Sequence, residues 1–292
     1  MSGMNSRPMQ AVKTCVVILA FLTVVSYLGQ SNFLFNTLSN FRVHFAAAFL
    51  ILAVILSITR NGRWLAISAV GLAVNLVPVV PWYLPQAGQP VAAASVGIKV
   101  LESNVYRRNV EYEKLEKLVA EEQPDVLGLV EVDSRWLERV PALRRDYAFR
   151  FEAPDDNYVG LALYSKLPLS DARIVFFGSS ATPAIVSTSH TPNGEIELIL
   201  AHPMPPMNAQ FAERRNAQLR EMASYIRATR KPVLLVADLN ATMWNPQYRL
   251  FAEYSGLHNA RAGYGIGPSW PAVPAIGIPI DHIMATAPSQ LR

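Results

Sequence analysis

KPVLLVADLNATMW, Lys231–Trp244, runs the apolar residues Val233 to Val236 into Asp238 and Asn240. The run is short, rich in branched side chains and opened by a proline, so it reads as a buried strand. A buried strand that ends in a carboxylate and, two residues on, an amide has two readings. Asp and Asn are turn formers, so the ending is a turn; or the carboxylate sits at the mouth of a sheet and serves a metal. The stretch alone leaves both open.

The same ending recurs along the chain. VGIKVLESN closes on Asn104, PDVLGLVEV on Glu131, EIELILAHP on His202, and IPIDHI holds Asp281. Between them lie YAFRFEA, YVGLALYSK, ARIVFF and AIVSTSH as further short strands, with amphipathic helices at Glu111–Gln123 and Asn208–Arg230. Mixed strands with helices at intervals predict two packed sheets flanked by helices. Sheet topology gathers strand ends, so repeated polar endings point to one site. A hard divalent cation takes carboxylate and water oxygens with few protein ligands, which makes Glu131 the foremost ligand candidate. Asp238 is suited to a metal or a nucleophilic water. The amides of Asn104 and Asn240 are suited to binding phosphate oxygen without adding charge.

These motifs resemble the endonuclease/exonuclease/phosphatase superfamily. VLESN, PDVLGLVEV, GLALYSK, ILAHP, LLVADLNAT and IPIDHI occur in the family's order across 97–292. DLNATMWNPQYRLF and GPSWP…IPIDHI are similar to a bacterial branch with N-terminal membrane helices. The resemblance implies a four-layer α/β/β/α sandwich and hydrolysis of phosphate esters with Mg²⁺ or Mn²⁺. It implies Glu131 as metal ligand with Asn104 supporting metal or phosphate. Asp238 orients or deprotonates water, and Asn240 sits beside the scissile phosphate. His202 is near the leaving group, and Asp281 orients a histidine. Family members carry a Ser-Asp-His strand beyond the Asp281 position, and no such motif follows Asp281 here. The expectation is therefore impaired hydrolysis and an uncovered edge on the IPIDHIMAT strand. His282 is no substitute, because neighbours on a strand face opposite sides.

Other side chains carry weaker expectations. Arg107 and Arg108 follow Asn104 and are placed to bind an anion, and Glu102 shares the parity of Asn104. Arg214 and Arg215 read as a solvated helix face, and Trp244 and Trp270 as loop packing. His190 reads as surface, His258 as loop.

Hydrophobic residues make up 51% of the 292, charged residues only 16%, and the imbalance is local. Before Lys99 there is no acidic residue, and the only basic ones are Arg7, Lys13, Arg42, Arg60 and Arg63. The remainder holds 21 basic against 22 acidic residues, which gives no surplus for a long nucleic-acid track. The lone cysteine, Cys15, excludes an intramolecular disulfide. Apolar runs at Thr14–Gly29, Phe45–Thr59 and Trp64–Pro85 predict three membrane helices, about 12–29, 43–59 and 64–84. A cleaved signal peptide is disfavoured, since no clean small-x-small site follows the first run. The Lys/Arg bias puts the N-terminus and the RNGR loop in the cytoplasm. That places everything after Pro85 on the periplasmic side of a plasma membrane. Residues 86–96 read as a linker, and 97–292 as the catalytic-type domain. The expected partners are the bilayer and a phosphate ester, either nucleic acid or a lipid or inositol headgroup. The competing reading is a degenerate hydrolase-like membrane protein that binds a ligand or partner.

Overall fold

The computed structural model describes residues 7–85, 97–178, 182–273 and 276–286. The linker expected at 86–96 lies outside them. The chain forms two compact units. One comprises Met1–Pro85 together with Thr242–Arg249 and Ala262–Pro279. The other comprises Gln86–Ala241, Leu250–Arg261 and Ile280–Arg292. Two segments of the expected 97–292 domain thus cluster with the helices.

The helical unit contains α1 (Arg7–Tyr27), α2 (Phe33–Ser39), α3 (Arg42–Ile58) and α4 (Gly62–Leu76). Among the described residues only α1, with 21 residues, is by itself long and apolar enough to cross a membrane, which corrects the expectation of three spans. At about 1.5 Å per residue, α1 reaches about 31 Å, against a hydrocarbon core of ~30 Å. The third run breaks at its prolines: α4 stops at Leu76, Val77 precedes Pro78, and a short 3-10 turn, Val80–Tyr83, follows. Val77 keeps helical angles and its N–H still reaches Ala73 O, but Pro78 has no N–H to continue the ladder, and Val74 O accepts from the Tyr27 hydroxyl instead at 2.8 Å. Helices α2 and α3 meet at 65°. There the Asn40 side-chain oxygen accepts from Thr242 N at 3.1 Å and Asn245 Nδ2 at 3.0 Å, which ties the bend to the Thr242–Arg249 segment. Trp244 is buried, and its Nε1 donates to Asn40 O.

The second unit contains two mixed sheets. The first has the order β1-β2-β4-β3, with β1 at Val100–Asn104, β2 at Val126–Val130, β3 at Phe149–Ala153 and β4 at Leu161–Ser165. The second has the order β5-β6-β7-β8-β10-β9. Its strands are Leu169–Val175, Ala184–Thr191, Gly194–Ala201, Val233–Asp238, Leu257–Asn259 (β9) and Asp281–Thr286 (β10). The sheets face each other through Val126, Val130, Leu161 and Leu163 on one side and Ile185, Leu198, Leu200, Leu234 and Val236 on the other. Gly128 sets their spacing: a Cβ there would stand 2.7 Å from Leu200 Cδ1 and 2.9 Å from Val236 Cγ1. The alternate β2 residues Leu127 and Leu129 face outward, against Leu115 and Val119 of α5 (Tyr112–Glu122) and Trp136 and Leu137 of α6 (Ser134–Arg139). On the far side lies α8 (Ala209–Ala228), which links the parallel pair β7 and β8; α7 (Pro141–Asp146) precedes β3 and α9 (Pro246–Ser255) precedes β9. The result is an α/β fold of helices outside two packed sheets.

Strand β10 has neighbours on both sides. It pairs with β8 from Asp281 to Ala285 and with β9 from Met284 to Thr286, and Ala260 N donates to Ile283 O. The expected uncovered edge is therefore corrected. The sequence LHN is too short to show a strand signal, and His258 lies in that strand rather than in a loop.

Candidate active site

Register explains why the polar strand ends meet. Parallel β1 and β2 place Asn104 opposite Val130, one residue before Glu131. Parallel β7 and β8 pair Ala201 with Ala237, which sets His202 beside Asp238, and antiparallel β10 puts Asp281 opposite Asp238. Asn104 then bridges the two sheets. Its Nδ2 donates to Glu131 Oε1 at 2.8 Å and to Asp238 Oδ2 at 3.2 Å, while its Oδ1 accepts from Tyr106 N at 3.0 Å.

Asp238 makes the turn with one oxygen and turns the other towards Asn104 at the strand end. Asn240 N donates to its Oδ1 at 3.0 Å, which is an Asx-type turn, while Oδ2 faces Asn104. Asn240 takes a left-handed φ of 50°, which asparagine tolerates, and its Nδ2 donates to Pro203 O at 3.0 Å and lies 3.5 Å from His202 Nε2. Glu131 also has a left-handed φ, 59°, where a non-glycine residue is strained. Such strain gathers at functional positions.

Burial raises the Asp238 pKa to about 6, and the Glu131 charge adds to it; the hydrogen bonds from Asn240 and Asn104 oppose it. Burial lowers the His202 pKa despite the nearby Glu131 and Asp281 carboxylates, so the imidazole is neutral at neutral pH. Glu102 is raised well above the ordinary glutamate value by burial first, then by Asp281 and Asp238, with Arg261 opposing. Its parity with Asn104 thus brings it to the same carboxylate group. His282 faces the other way: it is buried, with Nε2 2.8 Å from Ala241 O and Nδ1 2.9 Å from Asn259 Nδ2.

One expectation is reversed outright. Arg215 is fully buried, and its Nη1 donates to Asn240 O at 3.0 Å. Helix α8 turns this position onto the sheet, so the guanidinium holds the backbone of the Asp238–Asn240 turn instead of meeting solvent. Sequence offers no signal for it, because adjacent arginines on an amphipathic helix normally lie in water.

Among the described residues, no three His, Cys, Asp or Glu side chains are grouped to hold a metal ion. Mg²⁺ needs fewer protein ligands, since it keeps several waters and takes one or two carboxylates. Glu131 Oε2 is buried without a hydrogen-bond partner, and such an orphaned carboxylate oxygen fits a cation.

The sequence pattern of the Endonuclease/Exonuclease/phosphatase family matches residues 101–291. The chain belongs to this family. No curated protein matches it by sequence. Among solved structures, D. rerio TDP2 complexed with single-strand DNA product is similar at 16% identity, with a TM-score of 0.54, covering 65% of this chain and 84% of that one. The human Nocturnin catalytic domain with bound sulfate is similar at 19% identity, TM-score 0.50, covering 65% and 82%. A β-hairpin deletion mutant of β toxin from Staphylococcus aureus is similar at 14% identity, TM-score 0.50, covering 65% and 87%. At these identities the likeness establishes the shared fold.

Proposed function

We propose that the chain is a membrane-anchored, divalent-metal-dependent phosphodiesterase. One observation carries this reading: the Asn104 amide joins Glu131 and Asp238 across the two sheets. A purely structural pairing of the sheets has no use for two carboxylates, one of them buried and the other partly so, held by one amide. Glu131 would ligate Mg²⁺ or Mn²⁺ through Oε2, with Asn104 fixing the carboxylate. When bound, the ion supplies charge stabilisation to the phosphate oxygens. Asp238 takes the proton from the attacking water as that oxygen bonds to phosphorus, the ester P–O bond on the opposite side breaks, and the departing oxygen leaves with its electron pair and is protonated by solvent. Without metal its pKa is about 6, and a bound cation lowers it further, so the carboxylate is ionised and able to act as a base near neutral pH. Asn104 and Asn240 N hold its two oxygens in place. Neutral His202 and the Asn240 amide stand on the phosphate side, where they donate hydrogen bonds to oxygen. Asp281 adds negative charge behind them, and Arg107 offers a cation to the substrate.

Anchoring falls to α1, with the apolar α3 and α4 in the same bilayer. The exposed Val17, Phe21, Ile51, Val54 and Val70 support a lipid-facing surface.

The test is hydrolysis of bis(p-nitrophenyl) phosphate by the full chain in detergent. Mg²⁺-dependent turnover that falls about 10²–10⁴-fold in Asp238→Asn is expected. Absence of turnover in the unaltered chain would favour a degenerate, ligand-binding domain.

A further inference from the structure

Two tyrosines near the site have no part in the chemistry above. Tyr106 lies two residues beyond Asn104, and its N–H is the group bound by Asn104 Oδ1. Tyr158 lies in the loop between β3 and β4. That loop is tied to the residue after Glu131: Val132 N donates to Gly160 O, and Asp155 N donates to Val132 O. Both tyrosines are therefore fixed to the backbone beside the carboxylates. Their rings stack at 6.5 Å with an interplanar angle of 25°, and Tyr106 is half exposed.

They are the two aromatic residues among the described non-glycine positions with a left-handed φ. Tyr106 has φ 49° and Tyr158 has φ 66°, a region where bulky residues are outliers and Gly or Asn would be cheaper. Two aromatic rings held at such positions, on neighbouring loops, indicate that the rings are needed there. Charge points the same way. The Arg107 guanidinium lies 4.5 Å from the Tyr158 ring centroid and that of Arg108 lies 5.8 Å away. Arg107 Nε is buried without a hydrogen-bond partner, and among the described residues neither arginine has a carboxylate partner.

We infer that Tyr106 and Tyr158, with Arg107 and Arg108, form a platform on which a nucleobase stacks beside the phosphate site. The substrate is then a phosphodiester that carries a nucleobase, read locally on a short single-stranded piece. The inference rests on the proposed phosphodiesterase reading for the position of the phosphate. Stacking is sequence-tolerant and needs no long basic track, in keeping with the near-neutral composition beyond residue 98.

The experiment is calorimetric titration of the full chain in detergent with Mg²⁺, in an Asp238→Asn background that keeps the probe intact. The probe is a thymidine tetranucleotide, with glycerophosphocholine as the ring-free comparison. Loss of one base stack is worth ~1–3 kcal/mol, so Tyr106→Asn and Tyr158→Asn are each expected to weaken tetranucleotide binding on the order of 5- to 150-fold. Asn favours the left-handed backbone, so melting temperatures stay equal or rise, which separates lost stacking from misfolding. Tyr158→Phe keeps the ring and is expected to bind nearly as the parent does. Unchanged tetranucleotide affinity in both Asn variants would overturn the inference, as would tighter binding of glycerophosphocholine than of the tetranucleotide. Hydrolysis of bis(p-nitrophenyl) phosphate by the unmutated chain separates the two claims. Turnover without nucleotide preference overturns the platform alone. Ring-dependent nucleotide binding without turnover supports the platform and overturns the catalytic reading.

Discussion

Asp238→Asn is expected to lower hydrolysis about 10²–10⁴-fold and, at neutral pH and without metal, to stabilise the fold. The carboxyl is 3% exposed, and its pKa rises from 3.8 to about 6. Each pKa step of one corresponds to about 1.4 kcal/mol, so holding Asp238 ionised costs the fold about 3 kcal/mol. The folded state binds this proton more tightly than the unfolded state. The contribution is therefore most favourable below about pH 4, is lost as pH rises towards about 6, and is constant above that. Asn keeps one oxygen for the Asn240 N–H but turns an NH₂ towards Asn104 Nδ2, a loss of about 1 kcal/mol. The net gain at pH 8 is about 2 kcal/mol, or a melting-temperature rise of roughly 4–8 °C at ~2–4 °C per kcal/mol. At pH 4 the gain vanishes, because the wild-type carboxyl is already protonated. Thermal melts of the full chain in detergent with EDTA, from pH 4 to pH 8, measure this. A variant destabilised equally at every pH would refute the reasoning and make Asp238 a turn residue.

The pH–rate profile of the wild-type chain with Mg²⁺ should rise as Asp238 ionises and then level, with its inflection below the metal-free value of about 6 because a neighbouring cation favours the carboxylate; a rate that falls between about pH 4 and pH 7 would assign the base elsewhere. Glu131→Gln should weaken Mg²⁺ binding with little change in melting temperature, measured by calorimetry, and unchanged affinity removes Glu131 from the metal site. Arg215→Met should leave Asn240 O without its donor; hydrolysis should fall more than stability does, and equal kcat in both proteins would limit Arg215 to packing. Gly128→Ala should destabilise by about 1–3 kcal/mol through overpacking, because its Cβ meets Leu200 and Val236 inside 3 Å; denaturant unfolding with no loss would mean the sheets separate freely.

Sequence determined what depends on local order. Short apolar runs, their periods and their polar endings marked nine of the strands, the α5 and α8 helices, and Asn104, Glu131, His202, Asp238, Asn240 and Asp281 as strand-end candidates, because side-chain alternation and turn chemistry are written along the chain. Membrane helix lengths were only half legible. Hydropathy counts apolar residues through Pro78 and Pro81, whereas a helix ends where proline removes a backbone donor. Tertiary structure alone decided the rest. Arg215 becomes buried because α8 packs on a sheet that its own sequence does not show. β10 gains a second neighbour because the three residues Leu257–Asn259 reach it from a distance, and so short a strand exists only through pairing. Tyr158 joins Tyr106 across some fifty positions, a proximity set by the β1-β2-β4 order. The same holds for the carboxylates: their types are written in the sequence, but the burial that raises the pKa of Asp238 comes from two sheets closing over it.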